Sequence, residues 1–219
     1  MAGGRSSRVR GVALPFDADE AVRSLRASDA KLAALIERAG PFVLRLDPKP
    51  DPFESLAQSI IYQQISGRAA ATILSRFREQ VGGGRFPRPQ RVLDSADTTL
   101  RQAGLSRNKS AAIRDLAAKA LDGTLPRLPQ LHRMNDEEIV ERLTVVRGIG
   151  RWTAEMFLMF RLGRPDVLPV GDYGIRKGFQ RTFRTRGIPD PKTVARRGER
   201  WRPFRTVASW YLWRAVDGP

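Results

Sequence analysis

Two short runs hold the residues best suited to chemistry. In the first, Leu143-Thr144-Val145-Val146-Arg147-Gly148-Ile149-Gly150-Arg151-Trp152-Thr153-Ala154, an apolar helical stretch enters Gly-x-Gly and a second helical stretch leaves it. Ala154, Phe157, Leu158 and Arg161 share one face of that second stretch. Two glycines around one apolar residue allow a tight turn and let main-chain N–H groups approach a phosphate closely. The start of the following helix adds a positive dipole end at the same place. Ile149 would plug the turn into the core, and Arg147 and Arg151 would flank it with charge. A lone Gly-x-Gly is also common in ordinary helix–helix turns.

The second run begins with the turn Gly163-Arg164-Pro165-Asp166 and continues as Val167-Leu168-Pro169-Val170-Gly171-Asp172-Tyr173-Gly174-Ile175-Arg176-Lys177. Asp172 stands just before the helical spacing of Ile175 and Phe179, which makes it an N-cap. A helix N-terminus favours the ionised carboxylate, the state that can stabilise a developing cation or orient a water. Taken alone, a cap is the commoner role for such an Asp. Asp166 is the rival carboxylate, but it lies close to the preceding helix and reads as a turn residue.

The rest of the composition narrows the choices. The chain has no cysteine, which excludes disulfides, Cys-ligated zinc and iron–sulfur clusters, and its single histidine, His132, excludes a multi-His metal site. No metal and no cofactor is expected. Chemistry must rest on carboxylates, basic groups, hydroxyls, amides and aromatics.

These residues need elements to position them, and the sequence reads as helical almost throughout. Ala21, Val22 and Leu25, then Leu32, Leu35 and Ile36, recur at helical spacing. Asp51-Pro52 opens a new helix whose apolar face is Phe53, Leu56, Ile60 and Ile61. Ala69, Ala70, Ile73, Leu74 and Phe77 follow Gly67. Gly82-Gly83-Gly84, Pro87 and Pro89 mark a loop. Short helices are expected around Val92–Ala96 and Asp97–Ala103, and an amphipathic one over Lys109–Leu121 that stops at Gly123. Asn135 and Glu138 form a capping box for a helix running to about Val146, and the helix after the glycines should extend from Arg151 to about Leu162. No alternating strand pattern and no repeat stands out. The expected fold is all-α, with about ten helices. Residues 1–14 would be a flexible basic tail without a signal peptide's apolar core.

A chain of 219 residues with 41% hydrophobic residues can bury a real core, so disorder is excluded. The net charge of +16, from 39 basic and 23 acidic residues, calls for a polyanionic partner: nucleic acid first, an anionic membrane second. From Arg151 onward there are 15 Lys+Arg against 6 Asp+Glu, so more than half of the excess sits in the last third. No stretch reaches the roughly 18 apolar residues a membrane span needs, so no membrane partner is expected.

The full phrase around Gly148-Ile149-Gly150 resembles the helix-hairpin-helix of the DNA glycosylase superfamily with a Gly/Pro-rich loop and a catalytic Asp. That family places its essential Asp about twenty residues past the hairpin, where Asp172 falls here. The resemblance implies that Arg147, Gly148, Ile149, Gly150, Arg151 and Thr153 hold DNA phosphates without reading sequence, and that Asp172 is catalytic. Many relatives carry another acidic residue just before this Asp; Gly171 stands there, leaving one candidate. Bifunctional members carry a lysine two residues after the second glycine, and its amine forms a Schiff base with the sugar. Trp152 occupies that place, which implies a monofunctional enzyme using water.

Arg151-Trp152-Thr153-Ala154 is most similar to the DNA-3-methyladenine glycosylase II branch, in the short form without an N-terminal β-domain. Gln63-Gln64-Ile65-Ser66 matches its Gln-Gln-(Ile/Leu)-Ser phrase, in which the second position wedges into the duplex where the base leaves; that is Gln64 here. Trp213 matches the tryptophan lining the base pocket, joined by Trp152 and Tyr173, while Trp201 and Trp210 read as core. The resemblance spans about Asp51 to Trp213, and it implies that the helices form two lobes with a DNA-binding groove between them, 53–163 a central lobe and 15–52 with 164–219 a second lobe. It implies excision of alkylated bases such as 3-methyladenine and 7-methylguanine from double-stranded DNA by a monomer. Such an enzyme would be cytoplasmic and nucleoid-associated in a bacterium, nuclear in a eukaryote. The alternatives are a non-catalytic helix-hairpin-helix DNA-binding protein, or a glycosylase for hypoxanthine, ethenoadenine or uracil. Arg107, Asn108 and Lys109 start a helix where they would touch phosphate or lie in a solvated turn.

Overall fold

The computed structural model describes residues 13–49 and 51–217; residues 1–12 of the expected basic tail lie outside them. Among the described residues there are thirteen α-helices, a 3₁₀ turn and no β-strand. In chain order the helices are α1 (Ala18–Ser28), α2 (Ala30–Ala39), α3 (Pro52–Tyr62), α4 (Gly67–Gly82), α5 (Pro89–Asp94), α6 (Asp97–Gln102) and α7 (Arg107–Leu121). Then come α8 (Leu128–Leu131), α9 (Asp136–Thr144), α10 (Arg151–Phe160), α11 (Tyr173–Phe183), α12 (Pro191–Gly198), the 3₁₀ turn Glu199–Trp201, and α13 (Arg205–Asp217).

The fold is all-α as expected, with three helices beyond the ten placed by pattern: α8, α12 and α13. Helix α8 is a single turn, too short to show a period. Helix α12 buries only Val194 and Gly198. Helix α13 is buried on every side through its middle: Thr206 through Leu212 are all buried. A helix buried all round has no amphipathic stripe to read.

Caps set most of the boundaries. Asp17, Asp29, Asp51, Ser66, Ser106, Asn135, Asp172 and Asp190 each accept a hydrogen bond from a main-chain N–H in the first turn that follows. Each such cap contributes about 1 kcal/mol. Asn135 and Glu138 make the reciprocal capping box, and Pro52 occupies the first turn of α3.

The described residues fall into two compact units, one taking the chain up to Pro48 and from Met159 onward, the other Lys49–Leu158. In the first unit, α1, α2, α11 and α13 surround a core that includes Leu25, Leu32, Ile36, Phe179, Trp201 and Tyr211. Helices α11 and α13 approach so closely at Gly178 that a Cβ there would stand 1.9 Å from the Leu212 carbonyl oxygen. Asp29 links three elements of this unit. It caps α2, accepts from Arg197 of α12 at 2.8 and 2.9 Å, and from Trp201 Nε1 at 3.3 Å.

The second unit packs α3, α4 and α7 around Phe53, Leu56, Ile60, Phe77, Ile113 and Leu116. Phe86 stands edge-on to both Phe53 and Phe77, at 5.9 and 5.8 Å. Helix α9 leads from this core into the glycine turn, and α10 leaves it.

Candidate active site and nucleic-acid interface

The second unit carries the hairpin. Helix α9 ends at Thr144, and the turn closes through hydrogen bonds from Val146 N–H to the Leu143 carbonyl and from Ile149 N–H to the Val146 carbonyl. Gly148 takes a left-handed φ of +80°, which glycine adopts without strain. Ile149 is buried, plugging the turn into the unit as expected, while Arg147, Gly148 and Gly150 are exposed. Among the described residues no partner takes the N–H of Gly148 or Gly150. Gly150 in turn accepts the first helical bond of α10, from Ala154 N–H at 3.1 Å. The turn therefore presents two unpaired main-chain donors beside the positive end of a helix, an arrangement suited to an anion. A shallow depression of about 570 Å³ lies over it, lined among others by Lys119, Arg147, Gly148 and Gly150.

The surroundings of the turn were not legible in the sequence. Asp115 of α7 accepts from Arg147 N–H at 2.7 Å and pairs with Lys119 at 2.6 Å. Burial would raise the Asp115 carboxyl, but Lys119 and the Arg147 N–H outweigh it and hold it below the usual range. Gln63 donates through Nε2 to the Gly148 carbonyl at 2.9 Å. Arg151 is bidentate to Glu137, at 2.8 and 2.7 Å, with Glu155 at 3.3 Å. Thr153 is buried, so its side chain packs under the start of α10. Trp152 is 48% exposed. Lys109 does not project into solvent; it donates to the carbonyls of Ile61 and Gln63 at 2.6 and 2.8 Å. This replaces the expected phosphate contact or solvated turn at that residue. Gln64 follows α3, is exposed, and holds a left-handed φ of +58°.

The first unit carries the carboxylate. Asp172 caps α11: its Oδ1 accepts from Ile175 N–H at 2.7 Å and from Trp213 Nε1 at 2.9 Å. The Trp213 indole is half-buried and stacks on Phe160, with centroids 6.0 Å apart and an interplanar angle of 26°. A Cβ at Gly174 would come within 2.9 Å of the indole and 3.0 Å of Oδ1, so this glycine gives the two groups room to meet. Tyr173, the first residue of α11, is 65% exposed. Asp166 is bound instead to Arg202 and Arg205, the latter at 2.7 Å, which fixes it as a structural carboxylate. Trp201 and Trp210 are buried, as expected of core residues. Phe160 and Gly174 went unnoticed in the sequence, because the Trp213 indole that both meet is far from either along the chain.

No group of three or more His, Cys, Asp or Glu side chains that could hold a metal ion occurs among the described residues. No helix among them is long and apolar enough to cross a membrane.

A family model described as "HhH-GPD superfamily base excision DNA repair protein" matches residues 57–203. The DNA-3-methyladenine glycosylase 1 of Schizosaccharomyces pombe is 38% identical over 166 residues, covering 76% of this chain and 73% of that protein. The solved 3-methyladenine DNA glycosylase of the same yeast, in complex with abasic DNA, aligns with a TM-score of 0.78 at 35% identity, over 89% of this chain and 95% of that one. A DNA-3-methyladenine glycosidase from Bacillus halodurans aligns with a TM-score of 0.82 at 39% identity, over 92% and 91%.

Proposed function

Because the chain belongs to the HhH-GPD superfamily of base excision DNA repair proteins, we propose that it is a monofunctional DNA glycosylase that hydrolyses the N-glycosidic bond of alkylated bases. Its substrates are bases such as 3-methyladenine and 7-methylguanine in double-stranded DNA, and its product is an abasic site. It works as a monomer. The observation that carries this reading is the carboxylate of Asp172, held by Ile175 N–H and Trp213 Nε1 at the start of α11.

Cleavage of the bond leaves positive charge on the sugar, as in other glycoside hydrolysis. The Asp172 carboxylate stabilises that charge and orients, then deprotonates, the attacking water. The two donors on Oδ1 fix the group in direction. Purines alkylated at N3 or N7 are already cationic and leave without being protonated, which suits a chain whose one histidine, His132, is exposed. Tyr173 and Trp213 stack on the flipped cationic base, each contact contributing about 0.5–2 kcal/mol.

The hairpin holds the DNA backbone through the N–H groups of Gly148 and Gly150 and the start of α10, with Arg147 beside them. Ile149 and Thr153 support this grip from beneath. Arg151 joins it by exchanging Glu137 for phosphate, a small cost between exposed groups. Gln64 is the wedge that fills the stack when the base leaves. Its left-handed backbone costs about 1–2 kcal/mol, the kind of strain that marks a functional turn.

Trp152 at the position of the Schiff-base lysine leaves water as the nucleophile. Incubation with methylated duplex DNA should release free 3-methyladenine and leave a strand that breaks only after alkali. DNA binding without release would favour the non-catalytic reading, and a borohydride-trapped covalent complex would refute the water mechanism.

A further inference from the structure

Three bonds hold the Gln64 turn, two from helix α7 and one to the hairpin, and the two residues that make them have no place in the chemistry above. Lys109 is the third residue of α7. An ammonium at a helix N-terminus opposes the helix dipole, and burial lowers its pKa further from the ordinary lysine value. Two unfavourable terms at one residue point to something that offsets them. Lys109 Nζ donates to the carbonyls of Ile61 and Gln63, the last turn of α3, where the dipole is negative and carbonyls lack helical partners. Gln63, fixed through its carbonyl, donates its side-chain amide to the Gly148 carbonyl at 2.9 Å. The next residue is Gln64, in its left-handed conformation. Helix α7 also fixes the hairpin itself, through Asp115 to Arg147 N–H. The wedge turn and the phosphate turn are thus anchored on one helix and joined by one glutamine.

We propose that Gln63 and Lys109 are positioning residues that hold the Gln64 wedge at a set spacing from the Gly148–Gly150 phosphate turn, so that gripping the backbone drives the wedge into the stack. This rests on the reading of Gln64 as the wedge. Neither residue touches the reacting atoms. Their effect should be felt where a base must be expelled from a paired duplex, and should vanish where expulsion is already easy.

The test uses the whole protein and single-turnover release of 7-methylguanine from two duplexes, one with the lesion paired to cytosine and one with it facing an abasic site. With Gln63→Ala or Lys109→Met, release from the paired lesion should fall about 10-fold, and from the lesion facing the gap by no more than about 2-fold. Affinity for undamaged duplex should change by less than about 3-fold, since the hairpin donors remain. Lys109→Arg should restore part of the rate. In a Gln64→Ala background neither substitution should add a further loss, because both act through the wedge. Equal slowing on the two duplexes, or losses that add to that of Gln64→Ala, would overturn the proposal and leave the pair merely structural. If Gln64→Ala itself shows no loss confined to the paired lesion, the wedge reading fails first, and that outcome is separate. Should Lys109→Met unfold the chain, Gln63→Ala, a half-buried side chain, decides alone.

Discussion

At the scale of single residues, the proposed chemistry depends on how the Asp172 carboxylate is held. Oδ1 takes one bond from its own helix and one from an indole forty-one residues later. Trp213→Phe keeps a flat ring on Phe160 but removes the N–H. The carboxylate then loses a donor, and single-turnover base release should slow by about 10-fold, equivalent to ~1.4 kcal/mol, with DNA affinity little changed. Release at the wild-type rate would mean the bond does not serve catalysis. Much of this candidate site was legible in the sequence. Asp172 declared itself by standing before a helical pattern at a telling distance from the glycine turn, and Trp213 by the phrase it belongs to. The bond between them was not legible, nor was the gap at Gly174 that permits it, since no local rule links residues so far apart. The same holds for Gln63 and Asp115, whose roles depend on which carbonyl or N–H the fold brings alongside.

At the scale of elements, the carboxylate is only as fixed as α11 against α13. Their close approach at Gly178 makes a sharp prediction. Gly178→Ala would drive a methyl group into the Leu212 carbonyl, and because the obstacle is backbone, the helices must separate. A loss of about 3 kcal/mol is expected, read as a lower urea midpoint. An unchanged midpoint would show that the contact is looser than described.

The Asp29 junction adds a pH dependence. Burial pushes its carboxyl pKa up, but the hydrogen bonds and charge of Arg197, with Leu32 N–H and Trp201, more than reverse this and leave it below the ordinary value. The stability this lends is complete above the unfolded Asp pKa, near about 3.9, and is lost as pH falls through the folded value. Asp29→Asn should therefore cost about 2–4 kcal/mol at pH 7, and the gap from the wild type should narrow below about pH 4. A gap independent of pH would contradict the ion-pair account. The elements themselves were read well where caps and periods coincide, as in α3, α4 and α9. They were missed where a helix is one turn long or buried on all sides, as in α8 and α13.

At the scale of the whole molecule, the charge of +16 and the two unpaired N–H donors of the glycine turn point to the backbone of DNA. That attraction is shared by every nucleic-acid-binding protein and does not distinguish an enzyme from a clamp. In the proposed mechanism the distinction lies in Asp172. The most direct measurement is release of free 3-methyladenine from methylated duplex DNA by the wild type and by Asp172→Asn, which keeps the cap's shape and its acceptor oxygen but removes the charge. The account predicts ready release by the wild type and a rate at least about 100-fold lower for Asp172→Asn, with both proteins folded and binding DNA alike. Equal release by the two proteins would contradict it.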